Sequence, residues 1–341
     1  MAKFNKLIFA VILVAGVRAS AQDIHFSQFN QEPLALNPAL TGSYECDWRA
    51  GLNYRSQWSE IPAPYTTYAA YFDIPVIRGI GGTDNLALGL NLYNDVSGDG
   101  NLSNLSAGLS AAYHKGLGRN HYISLGVQGS FSQKSLNWNN LYFANQFDGA
   151  SFNSNLPNYE PYSGDNINNI DVALGLVYKG KFNKTFSAEV GGALNHLTTP
   201  EETFYKPDSI NYTNELGMRI TVHGKFIIQI TQNLAVIPTG LFMTQSGAQE
   251  IVVGGDLGYY LKNPNFPATF YLGAYTRLDD AIIPHIALDY KNFKLGLSYD
   301  VNNSALDVAT NGKGGLEISL MYTGCILPVV PDQYILPCPR Y

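Results

Sequence analysis

The feature that most restricts this chain is a period-two alternation of apolar and polar residues, repeated in segments of about ten, the length a tilted strand needs to cross a bilayer. In Leu86 to Tyr93, Leu86, Leu88, Leu90 and Leu92 share one face, while Ala87, Gly89 and Asn91 share the other. In Arg219 to Ile230, Ile220, Val222, Phe226, Ile228 and Ile230 lie opposite Arg219, Thr221, His223, Lys225 and Gln229. A soluble sandwich also alternates, but it seldom places Arg, His and Lys between such residues unless that face meets water. Past the leader no apolar run reaches eighteen residues, so no helix can span. Charged residues are 14% of the chain, against about 25% in ordinary soluble domains. The expected fold is therefore all-β, a transmembrane antiparallel β-barrel in the outer membrane of a Gram-negative bacterium.

Strands are predicted to begin near Trp48, Tyr65, Asn85, Asn104, His121, Ile170, Thr185, Met218, Leu234, Glu250, Ala268, Ala281, Phe293 and Gly315, about 14 and an even number. With the first strand running outward, the long connections Gln133 to Asn169, Asn195 to Gly217 and Asn302 to Gly314 fall on one side and the short ones on the other. Only the stretch from Val76 to Asn85 is long for a periplasmic turn. Outward-facing Trp48, Tyr113, Tyr122, Tyr178, Phe186, Tyr259, Tyr290, Phe293 and Tyr322 cluster at the periplasmic ends as one aromatic girdle.

The chain opens with Lys3 and Lys6, an apolar run from Leu7 to Val17, and Ala19-Ser20-Ala21, the three parts of a secretory signal peptide. Cleavage after Ala21 leaves 18 basic against 27 acidic residues, which makes nucleic acid an improbable partner. The expected organisation is a signal peptide at 1–21, an N-terminal periplasmic or plug segment at 22–47, the barrel at 48–323, and a proline-rich periplasmic tail at 324–341. Both termini of the mature chain are expected beneath the membrane.

By the alternation, Arg49, Arg55, Asp171, Lys179, Glu189, Arg219, Lys225, Asp256, Arg277, Asp289, Lys294, Asp300 and Glu317 face inward. Both signs are present, which suits a water-filled lumen or one packed by a polar plug. Neither sign dominates as a selective ion channel would require. No G-x-S-x-G, H-E-x-x-H, P-loop or C-x-x-C motif occurs, so neither enzyme chemistry nor a cofactor is expected. Asp95, Ser97, Asp99, Gly100 and Asn101 imitate the front of a calcium loop, but its twelfth position is Ser106 in place of a bidentate Glu. Three cysteines, Cys46, Cys325 and Cys338, lie on the oxidising side. Closeness in sequence favours Cys325 with Cys338; the alternative is Cys46 with Cys325.

The stretch HFSQFNQEPLALNPALTGS, then RAGLNYRSQWSEIPAPYTTYAAYFDIP, and the closing CPRY resemble the PorP/SprF family of type IX secretion proteins. The residues that carry the resemblance are His25, Phe26, Ser27, Gln28, Phe29, Pro33, Asn37, Pro38, Gly42, Arg55, Gln57 and Trp58. It implies an outer-membrane barrel that helps a secreted surface protein or adhesin reach and stay on the cell exterior, holding it by its C-terminal domain while periplasmic type IX components couple below. The alternative is a gated transport barrel for a small or hydrophobic solute. Gln22 to Ser43 is expected on the periplasmic side, either entering the lumen as a plug or packing beneath it, with Phe26, Phe29, Leu34 and Leu36 buried.

Overall fold

A computed structural model describes residues 23–58, 64–118, 120–153, 155–162, 164–205, 214–263, 266–304 and 310–326. The expected signal peptide, and the tail from residue 327 on with Cys338, lie outside the described residues. Fourteen antiparallel strands close into one barrel. They are β1 (Trp48–Gln57), β2 (Tyr65–Ile80), β3 (Asp84–Ser97), β4 (Leu102–Gly118), β5 (His121–Ser135), β6 (Asn166–Lys181), β7 (Phe186–Asn195), β8 (Arg219–Gln229), β9 (Leu234–Gln245), β10 (Ala248–Asn263), β11 (Phe266–Arg277), β12 (Ala281–Tyr290), β13 (Phe293–Asn302) and β14 (Lys313–Gly324). Every observed start falls within four residues of its predicted position. The barrel shuts where β1 pairs β14, from Trp48 opposite Gly324 to Gln57 opposite Gly315.

The burial pattern is that of a membrane barrel. On β3, Leu88, Leu90 and Leu92 are exposed while Ala87, Gly89 and Asn91 are buried, and on β8 Ile220 and Val222 point out while Thr221, His223 and Lys225 point in. Apolar groups thus face the lipid and polar groups the interior. One end of the barrel carries only short turns. The other carries the long connections 136–165, 196–218 and 303–312. The connection that looked too long is a turn of residues 81–83, because β2 continues to Ile80 through irregularities at Pro75/Ile77 and Arg78/Ile80. Those bulges absorb residues that read as a loop.

The expected girdle is present at the turn end: Trp48 lies 4.9 Å from Tyr322, Phe293 4.7 Å from Tyr322, and Phe266 4.5 Å from Tyr290, ring centre to ring centre. The loop end holds aromatic pairs as well, Tyr54 with Tyr68 and Trp58 with Tyr65, so rings mark both interfaces.

Two expectations are corrected. Cys325 is bonded to Cys46 and not to Cys338; β1 and β14 are partners, so the residues flanking Trp48 and Gly324 meet across the seam, and that proximity overrides nearness in sequence. The first described residue, Asp23, does not hang beneath the barrel. It reaches the loop end, against His196, Arg219 and Gln245.

Candidate functional site: the occupied lumen

From Asp23 to Cys46 the chain runs the length of the lumen, from the loop end down to the turn end. It has little regular structure: a 3-10 turn at Phe29–Gln31, a one-turn helix α1 (Pro33–Leu36) and a second 3-10 turn at Pro38–Leu40. Pro33 and Pro38 each begin a turn, where the missing N–H would have been unbonded in any case. Phe26, Phe29, Leu34 and Leu36 are all buried, each contributing about 2 kcal/mol by removal from water. Phe29 packs edge-on against Tyr275 of β11.

Three polar clusters bind this segment to the wall. Nearest the loop end, the carboxylate of Asp23 accepts from Arg219 Nη1 and meets His196 Nε2, each at 2.7 Å, while His196 Nδ1 lies 2.8 Å from Asp171. Burial alone would raise the Asp23 carboxyl, but Arg219 and His196 together hold it well below the carboxylate range. Burial alone would likewise lower His196, yet its two carboxylate neighbours, Asp171 and Asp23, lift it to about 9. Nearby His25 is pushed down to about 4 by burial, so its 3.4 Å contact with Glu250 is made by a neutral ring.

The second cluster is centred on Ser27. Its hydroxyl donates to Asp300 at 2.6 Å and accepts from Arg55 Nη1 at 2.7 Å and Arg277 Nη2 at 2.8 Å. The backbone N–H groups of Ser27 and Gln28 donate to Glu317 at 2.7 and 3.0 Å, and Asn53 donates to the same carboxylate at 2.9 Å. Arg55 also bridges Asp300 and Glu317 at 2.9 and 3.0 Å. Arg55, Asp300 and Glu317 are almost completely buried. A buried charge is tolerable only with a near partner and further hydrogen bonds, which the segment supplies here.

The third cluster, toward the turn end, turns on Asn37. Its Nδ2 lies within hydrogen-bond reach of the Leu176 and Gly192 carbonyls and of His223, while its Oδ1 accepts from Ala39. Thr41 meets Ser110, and its carbonyl meets His114. Gly42, at a φ of +72° that favours glycine, donates to Asp73, whose carboxylate is also paired with Arg49 at 2.7 Å. Room for this part of the segment comes from inward glycines on the wall. A Cβ on Gly126 or Gly175 would collide with the Pro38–Ala39 backbone or the Asn37 side chain.

The segment residues singled out from the sequence, His25, Phe26, Ser27, Gln28, Phe29, Pro33, Asn37 and Pro38, therefore all stand inside the barrel. Among the wall charges, Arg49, Arg55, Lys179, Arg219, Arg277, Asp300 and Glu317 touch the segment directly. Lys225 pairs with Glu189, Asp256 with His285, and Asp171 with His196; Asp289 sits across from Lys294 in the β12–β13 ladder. The sequence reading missed Asp23, Glu32, Asp73 and His196. Asp73 shares the inward parity of Thr67, Ala69 and Tyr71 and was legible; Asp23, Glu32 and His196 lie outside strands, where no period marks them. Asp95, from the calcium-like stretch, accepts from Thr67 within the β2–β3 hairpin. Among the described residues no three His, Cys, Asp or Glu side chains gather as a metal site requires.

The hold on Asp23 should depend on pH in a definite direction. His196 is raised above its ordinary 6.5, so its contribution is complete below about 6.5 and fades as pH rises through about 9. The depressed Asp23 carboxyl contributes across the neutral range and fades only in strong acid. Clipping of residues 23–28 by proteinase K, in detergent-solubilised protein, is expected to be slow at pH 7 and to quicken at pH 10, on the scale of those titrations. Equal rates at both values would contradict the latch.

A closed barrel with a lipid-facing apolar wall and a polar lumen filled by its own N-terminal segment defines an outer-membrane protein. The sequence profile of the family described as type IX secretion system membrane protein PorP/SprF matches residues 18–322, and the chain belongs to that family. This is a class of secretion-system membrane proteins. Among curated proteins none matches the chain. Similar solved structures are the TodX monoaromatic hydrocarbon channel, in a deltaS2 mutant form (9% identity, 87% of this chain and 94% of that one, TM-score 0.50), and the toluene transporter TbuX of Ralstonia pickettii (12%, 85% and 93%, 0.48). A FadL homologue of Pseudomonas aeruginosa is similar too (11%, 85% and 94%, 0.48). At such identities the likeness is one of fold.

Proposed function

We propose that this protein is an accessory barrel of type IX secretion that helps a cell-surface protein or adhesin to be exported and anchored at the exterior. The observation that carries the reading is the family membership over residues 18–322, joined to a lumen whose interior is bonded to the chain's own segment from β1 round to β14. Such an interior suits a docking platform better than an open pore. In barrels of this kind the short turns lie in the periplasm and the long loops outside. The exterior end then presents the Trp138 cluster, where Tyr162 stacks at 4.4 Å and Phe143, Phe204 and Tyr205 pack around it. Tyr142, Phe147, Phe152 and Tyr159 stand exposed beside them. Rigid aromatics on a polar loop supply contact area at low entropic cost. The partner would be held by its C-terminal domain at this end, with periplasmic type IX components coupled at the turn end.

The second reading, a gated transport barrel for a small or hydrophobic solute, draws on the cavity beside the segment, and one solved barrel of similar fold, TodX, is a monoaromatic hydrocarbon channel. A deletion strain separates the two. The secretion reading expects one surface protein to be lost from the cell and recovered in the medium, and the same protein to co-purify with the solubilised barrel. An unchanged surface with a defect in solute uptake would favour transport and overturn the secretion reading.

A further inference from the structure

Arg219 and His196 form a cationic pair at the loop-end mouth of the lumen, and what they hold is the chain's own Asp23. With cleavage after Ala21, Asp23 is the second residue of the mature chain, a position that frays at little cost. Its grip is incomplete. Asp23 engages Arg219 through Nη1, while the buried Nε of Arg219 has no hydrogen-bond partner. A guanidinium binds a carboxylate best through two parallel N–H groups, so the site is built for a better-placed carboxylate than the one it holds.

Beneath this pair lies a cleft of about 80 Å³ between the segment and the wall of β3–β9, partly open to solvent. Its lining includes Phe26, Leu241 and Met243 on the apolar side. On the polar side Asn195 Nδ2, Thr221 Oγ1 and Glu32 Oε1 are buried and lack hydrogen-bond partners. Native interiors seldom leave such atoms unbonded. Glu32 is itself buried and lines the cleft. A second, smaller cavity meets the first at Asp23, Arg219 and Met243.

We propose that Arg219 and His196 are a carboxylate-binding site held in cis by Asp23, and that a ligand's terminal carboxylate enters from the loop end by taking its place. The body of the ligand lies in the cleft, its apolar part against Phe26 and Met243 and its hydrogen-bonding groups on Asn195 and Thr221. One carboxylate replaces another, so the pair keeps its charge balance. The Ser27 cluster four residues on stays intact, and only the first few residues move. The carboxylate could belong to a free small acid or to the C-terminus of a peptide. The inference does not rest on the secretion reading, because binding to the purified protein and loss of a surface protein from cells are independent measurements.

The test is calorimetric titration of the full mature protein in detergent with N-acetylglycine, with an N-acetylated hexapeptide bearing a free C-terminus, and with the same hexapeptide as its C-terminal amide. Asp23→Asn removes the internal competitor, so its affinity for the free acids is expected to rise about tenfold over the parent, since a site freed of its occupant recovers its intrinsic affinity. Arg219→Gln is expected to abolish binding, and Arg219→Lys, which keeps the charge but not the two-pronged geometry, to weaken it. Tighter binding of the hexapeptide assigns the site to a peptide terminus, and equal binding of both acids assigns it to a small acid. Heat-modifiable migration establishes that each variant still forms the barrel. An Asp23→Asn affinity no higher than the parent's, or an amide that binds as well as the acid, would overturn the proposal.

Discussion

Glu317→Ala is expected to release the N-terminal segment from the lumen and to cost about 3–5 kcal/mol of barrel stability, the usual consequence of removing one partner from a buried ion pair. The Glu317 carboxylate accepts from the backbone of Ser27 and Gln28, from Asn53 and from Arg55. Its loss strands three donors in a space where water is scarce, and leaves Arg55 with Ser27 and with Asp300 as its remaining acidic partner, shared with Arg277. Glu317→Gln retains one acceptor oxygen and should fall between the alanine variant and the parent. The midpoint of heat-modifiable migration reads the stability, and protease access to residues 23–36 reads the release. If Glu317→Ala matched the parent in both, the cluster would not be what secures the segment.

Gly126→Leu should produce the complementary result, a closed barrel whose segment is expelled. Gly126 faces inward on β5 against the Pro38–Ala39 backbone, and any side chain there occupies the same space. Overpacking of a tight interior costs about 1–3 kcal/mol and is relieved by the more movable partner, which here is the short turn Pro38–Leu40 and not a strand bonded on both sides. Gly129→Leu, at an exposed position with nothing within 4 Å of its Cβ, supplies the control. Planar-bilayer conductance is expected to rise for Gly126→Leu and to stay at the parental level for Gly129→Leu. A Gly126→Leu barrel with parental conductance would mean that the segment yields within the lumen without leaving it.

Much of this architecture was legible because lipid imposes it. A spanning strand must put apolar groups outward at every second residue, so the strand starts, the closure and the side bearing the long loops follow from alternation alone. The misread stretch near Ile80 is instructive: two irregularities disturb the period, and without the period a strand resembles a loop. The burial of Phe26, Phe29, Leu34 and Leu36 was expected, but the direction of the segment was not. Nothing local decides whether Ser27 lies above or below the wall. Its place is set by Arg55, Arg277, Asp300 and Glu317, contributed by four different strands, and such agreement exists only once the barrel has closed. A partial signal was present in the inward glycines Gly89, Gly126 and Gly175, each at a position where the segment presses against the wall. The same logic misled the cysteine assignment, where neighbours across the seam outranked neighbours along the chain.

The contact between Ser27 and Glu317 joins positions 290 residues apart. The segment can settle into these contacts only after the last strand has joined the barrel. Contacts between such distant positions form slowly, so assembly ends with the threading of this strap, and a half-built barrel would stand with its interior ion pairs short of their final acceptors and donors.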